Sequence, residues 1–250
     1  MGSSRLPGKM LHAIEGDPLL IRTMQRVEAC KLVDELMVAT SNQDSDQPIV
    51  DIASRYGFKC FVGDGDDVLD RYYQAARSVN AQVVVRITGD CPLIDPELVD
   101  EVIAFYLGHS DAYDYVHNGE SFPEGIVETE VFSFRILKQA WKRSVLASDR
   151  EHVTAFINKH PELFRIYTLE QEPNLGHIRL TVDEQSDVRM IERLLPLLPK
   201  GRISHQRDVL EVLAEHEEIL QENMHIKRNA GYEISLRNDR LQKDSEADND

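Results

Sequence analysis

Along this chain, short runs rich in β-branched and aromatic residues alternate with longer runs whose apolar positions recur at helical spacing. The runs 35–40, 59–62 and 81–88 predict strands, and 18–29 and 66–79 predict helices between them. Leu20, Met24 and Val27 form the stripe of the first helix; Val68, Tyr72, Ala75 and Val79 form that of the second. Val83, Val84 and Val85 are apolar in succession, the pattern of a central strand buried on both faces. Asp95-Pro96 predicts a helix start, with aspartate as N-cap, proline in the first turn, and Leu98, Val99, Val102, Ile103 and Tyr106 along the apolar face.

Further on, 113–117 and 127–134 predict strands separated by a turn-rich loop, 119–125, which is a candidate lid or substrate wall. Ser148 and Glu151 have the spacing of a capping box leading into a helix that ends before Pro161. Strands are expected at 164–170 and 178–183, a helix at 187–195, and helical, acidic sequence from about Arg207. The charged run 243–250 is expected to be disordered. Strands alternating with amphipathic helices predict an α/β fold built on a parallel or mixed sheet.

Composition narrows the partners. Lysine plus arginine total 28 against 44 aspartate plus glutamate, a net charge of −16, which argues against nucleic acid or an anionic membrane surface. A polyphosphate ligand remains possible, since screening over about 8 Å lets local cations outweigh the total. The three cysteines, Cys30, Cys60 and Cys91, include no Cys-x-x-Cys pair and fit a reducing cytoplasm. No run approaches the length of a membrane span.

Two regions carry candidate chemistry. The first, Gly2-Ser3-Ser4-Arg5-Leu6-Pro7-Gly8-Lys9, combines glycine, two hydroxyls and two cations in one short loop. Glycine admits backbone N–H groups close to phosphate, arginine forks onto two oxygens, and lysine adds a point charge. Such a loop usually follows a first, central strand. With Met1 opening the loop, the expectation is of a natural chain that starts upstream, its first strand absent here. The second region, Arg86-Ile87-Thr88-Gly89-Asp90-Cys91-Pro92, follows a buried strand, so Asp90 projects where open α/β sheets bind ligands. Magnesium favours one or two carboxylates with phosphate oxygens and water, and Asp183, closing 178–183, is the second candidate; both aspartates could equally be helix N-caps. Thr40, Ser41 and Asn42 lie past a strand end and are candidates for base or ribose contact. Arg71 could serve phosphates or pair with Asp67. Arg86, inside an apolar strand, must have an acidic or phosphate partner. His152 is a candidate for the sugar site or a subunit contact.

Gly2 to Lys9, Asp66-Asp67-Val68-Leu69-Asp70-Arg71-Tyr72, Arg86 to Pro96, Glu151-His152-Val153-Thr154, Gly176 to Asp183 and Arg228-Asn229-Ala230-Gly231-Tyr232 together resemble the cytidylyltransferase family. The similarity is greatest to its spore coat polysaccharide (SpsF) subgroup, related to CMP-Kdo and CMP-sialic acid synthetases. The resemblance implies a three-layer α/β/α, Rossmann-like nucleotide-diphospho-sugar transferase domain with a mostly parallel mixed sheet over residues 1–237, usually a homodimer, followed by a tail at 238–250. It further implies transfer of CMP from CTP to an acidic or modified sugar with release of pyrophosphate and use of Mg²⁺. In that scheme Arg5, Lys9 and Asp90 are catalytic. Gly2, Ser3, Ser4, Arg5, Lys9, Thr40, Ser41, Asn42, Arg71 and Asp90 bind the nucleotide, and Asp90 and Asp183 hold the metal. Two departures stand out. The family's first strand and its Gln-Ala-Arg lead are missing, and Val127-Glu128 stands where the family usually shows an aspartate after a glycine-leucine pair. Alternatives are a glycosyltransferase with Asp64-Gly65-Asp66 as its Asp-x-Asp metal site, and a nucleotide-binding protein without turnover.

Overall fold

The structure, a computed structural model, describes residues 5–228. A short 3₁₀ turn, Lys9–Leu11, leads to a two-residue hairpin of β1 (Ala13–Ile14) and β2 (Asp17–Pro18), and then to α1 (Leu19–Glu28). Next come β3 (Met37–Ser41), α2 (Gln47–Arg55), β4 (Lys59–Gly63), α3 (Val68–Ser78), β5 (Val83–Ile87) and α4 (Pro96–Gly108). The second half contains β6 (Tyr115–Asn118), β7 (Thr129–Ser133), α5 (Phe134–Arg143), α6 (Ala147–Glu151), α7 (Ala155–Lys159), β8 (Ile166–Leu169), α8 (Gln185–Leu194) and α9 (Gln206–Glu215).

β3 and β4 pair in parallel, with Val38 opposite Cys60. The larger sheet runs β5-β7-β6-β8. β7 is antiparallel to both of its neighbours, and β6 is parallel to β8. Among the described residues no strand joins β3 to β5, so the sheet stands in two pieces. Helices cover both faces, because β5 alternates its side chains between two cores as strand geometry requires. Val83 and Val85 pack with Val99, Val102, Ile103 and Ile191 on one side. Val84 packs with Leu69, Tyr73, Ile136 and Phe156 on the other. A third cluster, Leu20, Met24, Val38, Ile49 and Ala53, joins α1 and α2 to β3. Each leucine-sized side chain so buried contributes about 1.5–3 kcal/mol.

Several local expectations change. The buried stripe of α3 is Leu69, Tyr73 and Ala76, one residue on from that expected, because Tyr73 stacks on Trp141 at 4.2 Å and on Phe134 at 5.4 Å. Val68 and Tyr72 lie at its margin. Ser148 is not an N-cap residue: it lies inside α6, whose N-cap residue is Leu146, and the backbone breaks at Val153 (φ 50) before α7 begins. Capping boxes occur instead at α9 and at α8, where the Glu184 side chain accepts from the backbone N–H of Asp187 and Asp187 accepts from that of Glu184. Residues 178–183 form no full strand. They run extended against residues 123–126 through a single bridge, Glu124 to Arg179, with Glu124 N–H to Ile178 O at 2.9 Å and Leu180 N–H to Glu124 O at 2.7 Å. The helical start at α4 is as expected, Asp95 accepting from Glu97 N–H at 3.0 Å. The C-terminal helical region ends in a 3₁₀ turn, Glu217–Glu222; the expected tail lies outside the described residues.

Candidate active site

Beyond the carboxyl end of β5, the chain turns through Thr88 and Gly89 and presents Asp90. The backbone of Asp90 is tied to the 178–183 segment: its carbonyl accepts from Val182 N–H at 2.9 Å and from the Thr181 hydroxyl at 3.3 Å. These bonds bring Asp183 beside Asp90. The Lys9 ammonium sits between them, donating to Asp90 Oδ2 at 2.7 Å, Asp183 Oδ1 at 2.7 Å and the Val182 carbonyl at 3.0 Å. The two carboxylates therefore share one cation, the Lys9 ammonium. Lys9 is 8% exposed. Burial opposes its charge, yet Asp90 and Asp183 outweigh burial and hold its pKa above the ordinary lysine value. Burial likewise works against the Asp183 carboxylate, but Lys9, Arg5 and Arg179 together hold its pKa below the usual range.

Arg5 completes the near edge, 3.1 Å from Asp183 and 3.6 Å from Glu184. Gly2, Ser3 and Ser4 lie outside the described residues. Behind Asp183 stands Arg179, whose guanidinium reaches Asp183 at 2.9 Å, Asp187 at 2.9 Å and Glu124 at 2.7 Å. Asp187 is fully buried and also accepts the backbone N–H groups of Asp183 and Glu184 at 2.9 Å each, and the Asn223 amide at 2.9 Å. One arginine thus orients the Asp183 carboxylate and fixes the neighbouring wall.

That wall is the loop 119–128, and it is pinned rather than free to open. The Ser121 hydroxyl donates to Glu170 and accepts from Gln171 N–H at 2.8 Å. Phe122, Pro123, Ile126 and Val127 are buried. Gly125 adopts φ +89 and passes so close to the 178–183 segment that a Cβ there would lie 2.6 Å from Thr181 N. Arg228 clamps the loop from the far end of the sequence, donating to the carbonyls of Glu120 at 3.1 Å and Phe122 at 3.0 Å and pairing with Glu128 at 3.3 Å. Burial raises both Glu124 and Glu128 above the usual carboxyl range, against the pull of Arg179 and Arg228.

The secondary candidates fall in different places. The Thr40 and Ser41 hydroxyls both donate to Asp46, at 3.2 and 2.5 Å, which commits them to the turn after β3. Asn42 is exposed, its N–H donating to Gly63 O at 2.8 Å. Arg71 does not pair with Asp67, contrary to that alternative: it donates to the carbonyls of Asp64 at 2.7 Å and Gly65 at 3.4 Å, while Asp67 pairs with Arg150 at 3.2 Å. Arg86 has the acidic partner its burial requires, Glu130 on the adjoining strand β7. Glu130 also accepts the hydroxyls of Tyr115 and Thr154 at 2.6 Å each. His152 borders this cluster; burial lowers its pKa, against the pull of Glu151. Asp64 turns its carboxylate onto its own backbone, accepting from Asp66 N–H at 2.8 Å and Asp67 N–H at 2.9 Å. That arrangement is an Asx turn before α3. Among the described residues no group of three or more histidine, cysteine or acidic side chains is arranged to hold a metal, and no helix is long and apolar enough to cross a membrane.

Arg179, Asp187, Glu124 and Arg228 were not among the sequence candidates. Only Arg179 carried a usable signal, a guanidinium inside an apolar run, the same argument that required a partner for Arg86.

A layered α/β sheet with basic and acidic groups gathered at its carboxyl edge defines a Rossmann-like nucleotidyltransferase fold. Comparison with known proteins narrows this class. The family model for cytidylyltransferases matches residues 1–234, and the chain belongs to that family. It is 32% identical over 235 residues to MJ1063 of Methanocaldococcus jannaschii, covering 93% of this chain and 95% of that protein. To the spore coat polysaccharide biosynthesis protein SpsF of Bacillus subtilis it is 34% identical over 201 residues, 78% of this chain and 82% of SpsF. A solved cytidylyltransferase structure from Leptospira borgpetersenii superposes with a TM-score of 0.84 at 27% identity, over 89% of this chain and 94% of that one.

Proposed function

We propose that the chain transfers CMP from CTP to a hydroxyl of an acidic or modified sugar, releasing pyrophosphate, and that the CMP-sugar feeds synthesis of a surface polysaccharide. The observation that carries this reading is the convergence of Asp90 and Asp183 on one cationic centre beside Arg5. Family membership supplies cytidine as the base, and the similarity to SpsF supports the polysaccharide role. A homodimer in the cytoplasm belongs to the same proposal.

The donor set fits magnesium, which takes one or two carboxylates together with phosphate oxygens and water: Asp90 and Asp183 each reach the same ammonium at 2.7 Å and would hold the ion. When bound there, the ion would neutralise triphosphate charge and lower the pKa of the attacking hydroxyl. The protein's own contribution is positioning and charge. Arg5 faces the leaving pyrophosphate, with Lys9 near it. Arg179 keeps Asp183 turned toward Asp90. The pinned wall 119–128, carrying Glu124 and Glu128, closes the acceptor side. In-line transfer needs little more than this alignment. The Asp64 turn supports this reading over a glycosyltransferase, since its carboxylate is occupied by backbone donors.

The test is pyrophosphate release from CTP, UTP, ATP and GTP with magnesium across a panel of sugars. CTP should be the preferred donor, and Asp90→Asn should lower turnover by roughly 100- to 1000-fold, the scale for one pre-organised charge stabiliser. Turnover by Asp90→Asn near the wild-type rate would remove Asp90 from the site. Binding of CTP with no pyrophosphate released from any sugar would leave a nucleotide-binding protein instead.

A further inference from the structure

An ammonium has three N–H donors, and each of those on Lys9 is already matched: Asp90, Asp183 and the Val182 carbonyl, at 2.7, 2.7 and 3.0 Å. No donor remains for a phosphate. We propose that Lys9 is a resident counter-cation, its ammonium filling the place between the two carboxylates until a divalent cation displaces it. Only then is it free to meet the nucleotide. This rests on the proposed function for the identity of the incoming ion.

Three observations support it. First, the Lys9 ammonium lies directly between the two acidic side chains, 2.7 Å from each, in the place a shared cation would take. Second, Asp183 is gripped at its other oxygen by Arg5 and Arg179, at 3.1 and 2.9 Å, so its orientation survives the departure of Lys9. Third, Lys9 sits on a flexible four-carbon stem in the 3₁₀ turn that follows Gly8 (φ 75), so its head can swing while the backbone stays put. The consequence is coupling. Metal alone must evict a well-bound ammonium, whereas metal with a triphosphate offers that ammonium new oxygens. Cation and nucleotide therefore enhance each other's binding, and metal without nucleotide binds weakly, displacing Lys9 only near saturation.

Two experiments without nucleotide test this. In the first, the wild-type protein is reductively methylated and its lysines are mapped by mass spectrometry. Lys9 should be protected in chelator and become reactive at saturating Mg²⁺, with Lys159, paired to Asp149 at 2.8 Å, as the internal reference. In the second, Mn²⁺ is titrated and followed by electron paramagnetic resonance. Lys9→Met should bind it about 5- to 150-fold more tightly than wild type, the span of ordinary coupling between sites. Unchanged protection of Lys9 at saturating metal overturns the proposal, as does a folded Lys9→Met that binds Mn²⁺ no more tightly. If Lys9→Met does not fold, the wild-type labelling decides alone. A chain that exchanges Lys9 for metal but releases no pyrophosphate leaves this inference standing and removes only the proposed function.

Discussion

Replacing Arg179 by methionine keeps an unbranched apolar stem and removes the guanidinium with its charge. The guanidinium is 5% exposed and contacts three carboxylates at once, with Asp187 completely enclosed and Glu124 12% exposed. Removing one partner of a buried ion pair costs about 3–5 kcal/mol, because the survivor stays desolvated and unpaired. Here the three survivors differ. Asp187 keeps two backbone N–H groups and the Asn223 amide, and Asp183 keeps Lys9 and Arg5. Glu124 and Asp187 both lose their ion-pair partner, but Asp187 keeps its neutral donors, so the low end of that range applies, about 3 kcal/mol. That is a sizeable share of a total near 5–15 kcal/mol. Burial already raises Glu124, and losing Arg179 raises it further. A carboxyl whose folded pKa lies above its unfolded value binds more protons when folded, so stability falls as pH rises through the interval between the two. Urea unfolding at about pH 5.5 and about pH 8 should therefore show the larger deficit at the higher pH. A variant within about 0.5 kcal/mol of wild type would refute the reasoning. So would a deficit of equal size at both pH values.

Two further outcomes follow from the packing. Gly125→Ala forces a Cβ onto Thr181 N and an L-residue into φ +89, so unfolding should show a loss of roughly 1–3 kcal/mol; a neutral result would mean that the wall and the 178–183 segment can separate freely. Arg86→Leu should destabilise by about 3–5 kcal/mol by leaving Glu130 unpaired, and adding Glu130→Leu should recover part of it. A double-mutant cycle giving a coupling below about 0.5 kcal/mol would show that the pair is not a unit.

The alternation of elements was legible in the sequence because it rests on local periodicity. α1, α3, α4 and the strands β3 to β5 lie close to where their patterns predict them. What failed required knowledge of neighbours. The α3 stripe was displaced by a residue, since the ring stack with Trp141 and Phe134 sets its rotation. The β1–β2 hairpin is too short to have a period. Ser148 has the spacing of a cap, but a cap also needs a non-helical backbone at that residue, and here the helix starts before it. Asp90 and Asp183 could be found because both follow apolar runs. Their contact with Lys9 could not, for the partners lie 81 and 174 residues away along the chain. Asp187 read as an ordinary residue in the first turn of a helix, and only the fold shows that it also supports Arg179.

The clamp made by Arg228 has a mechanical consequence. A single guanidinium near the end of the described chain is stitched to two carbonyls and one carboxylate of the wall beside Asp90. Tension applied beyond residue 228, whether by a fused domain or an immobilising tether, would reach the wall beside Asp90 through that side chain first and then through the Asn223 amide on Asp187. An anchored preparation of this protein would report on its anchor as well as its chemistry.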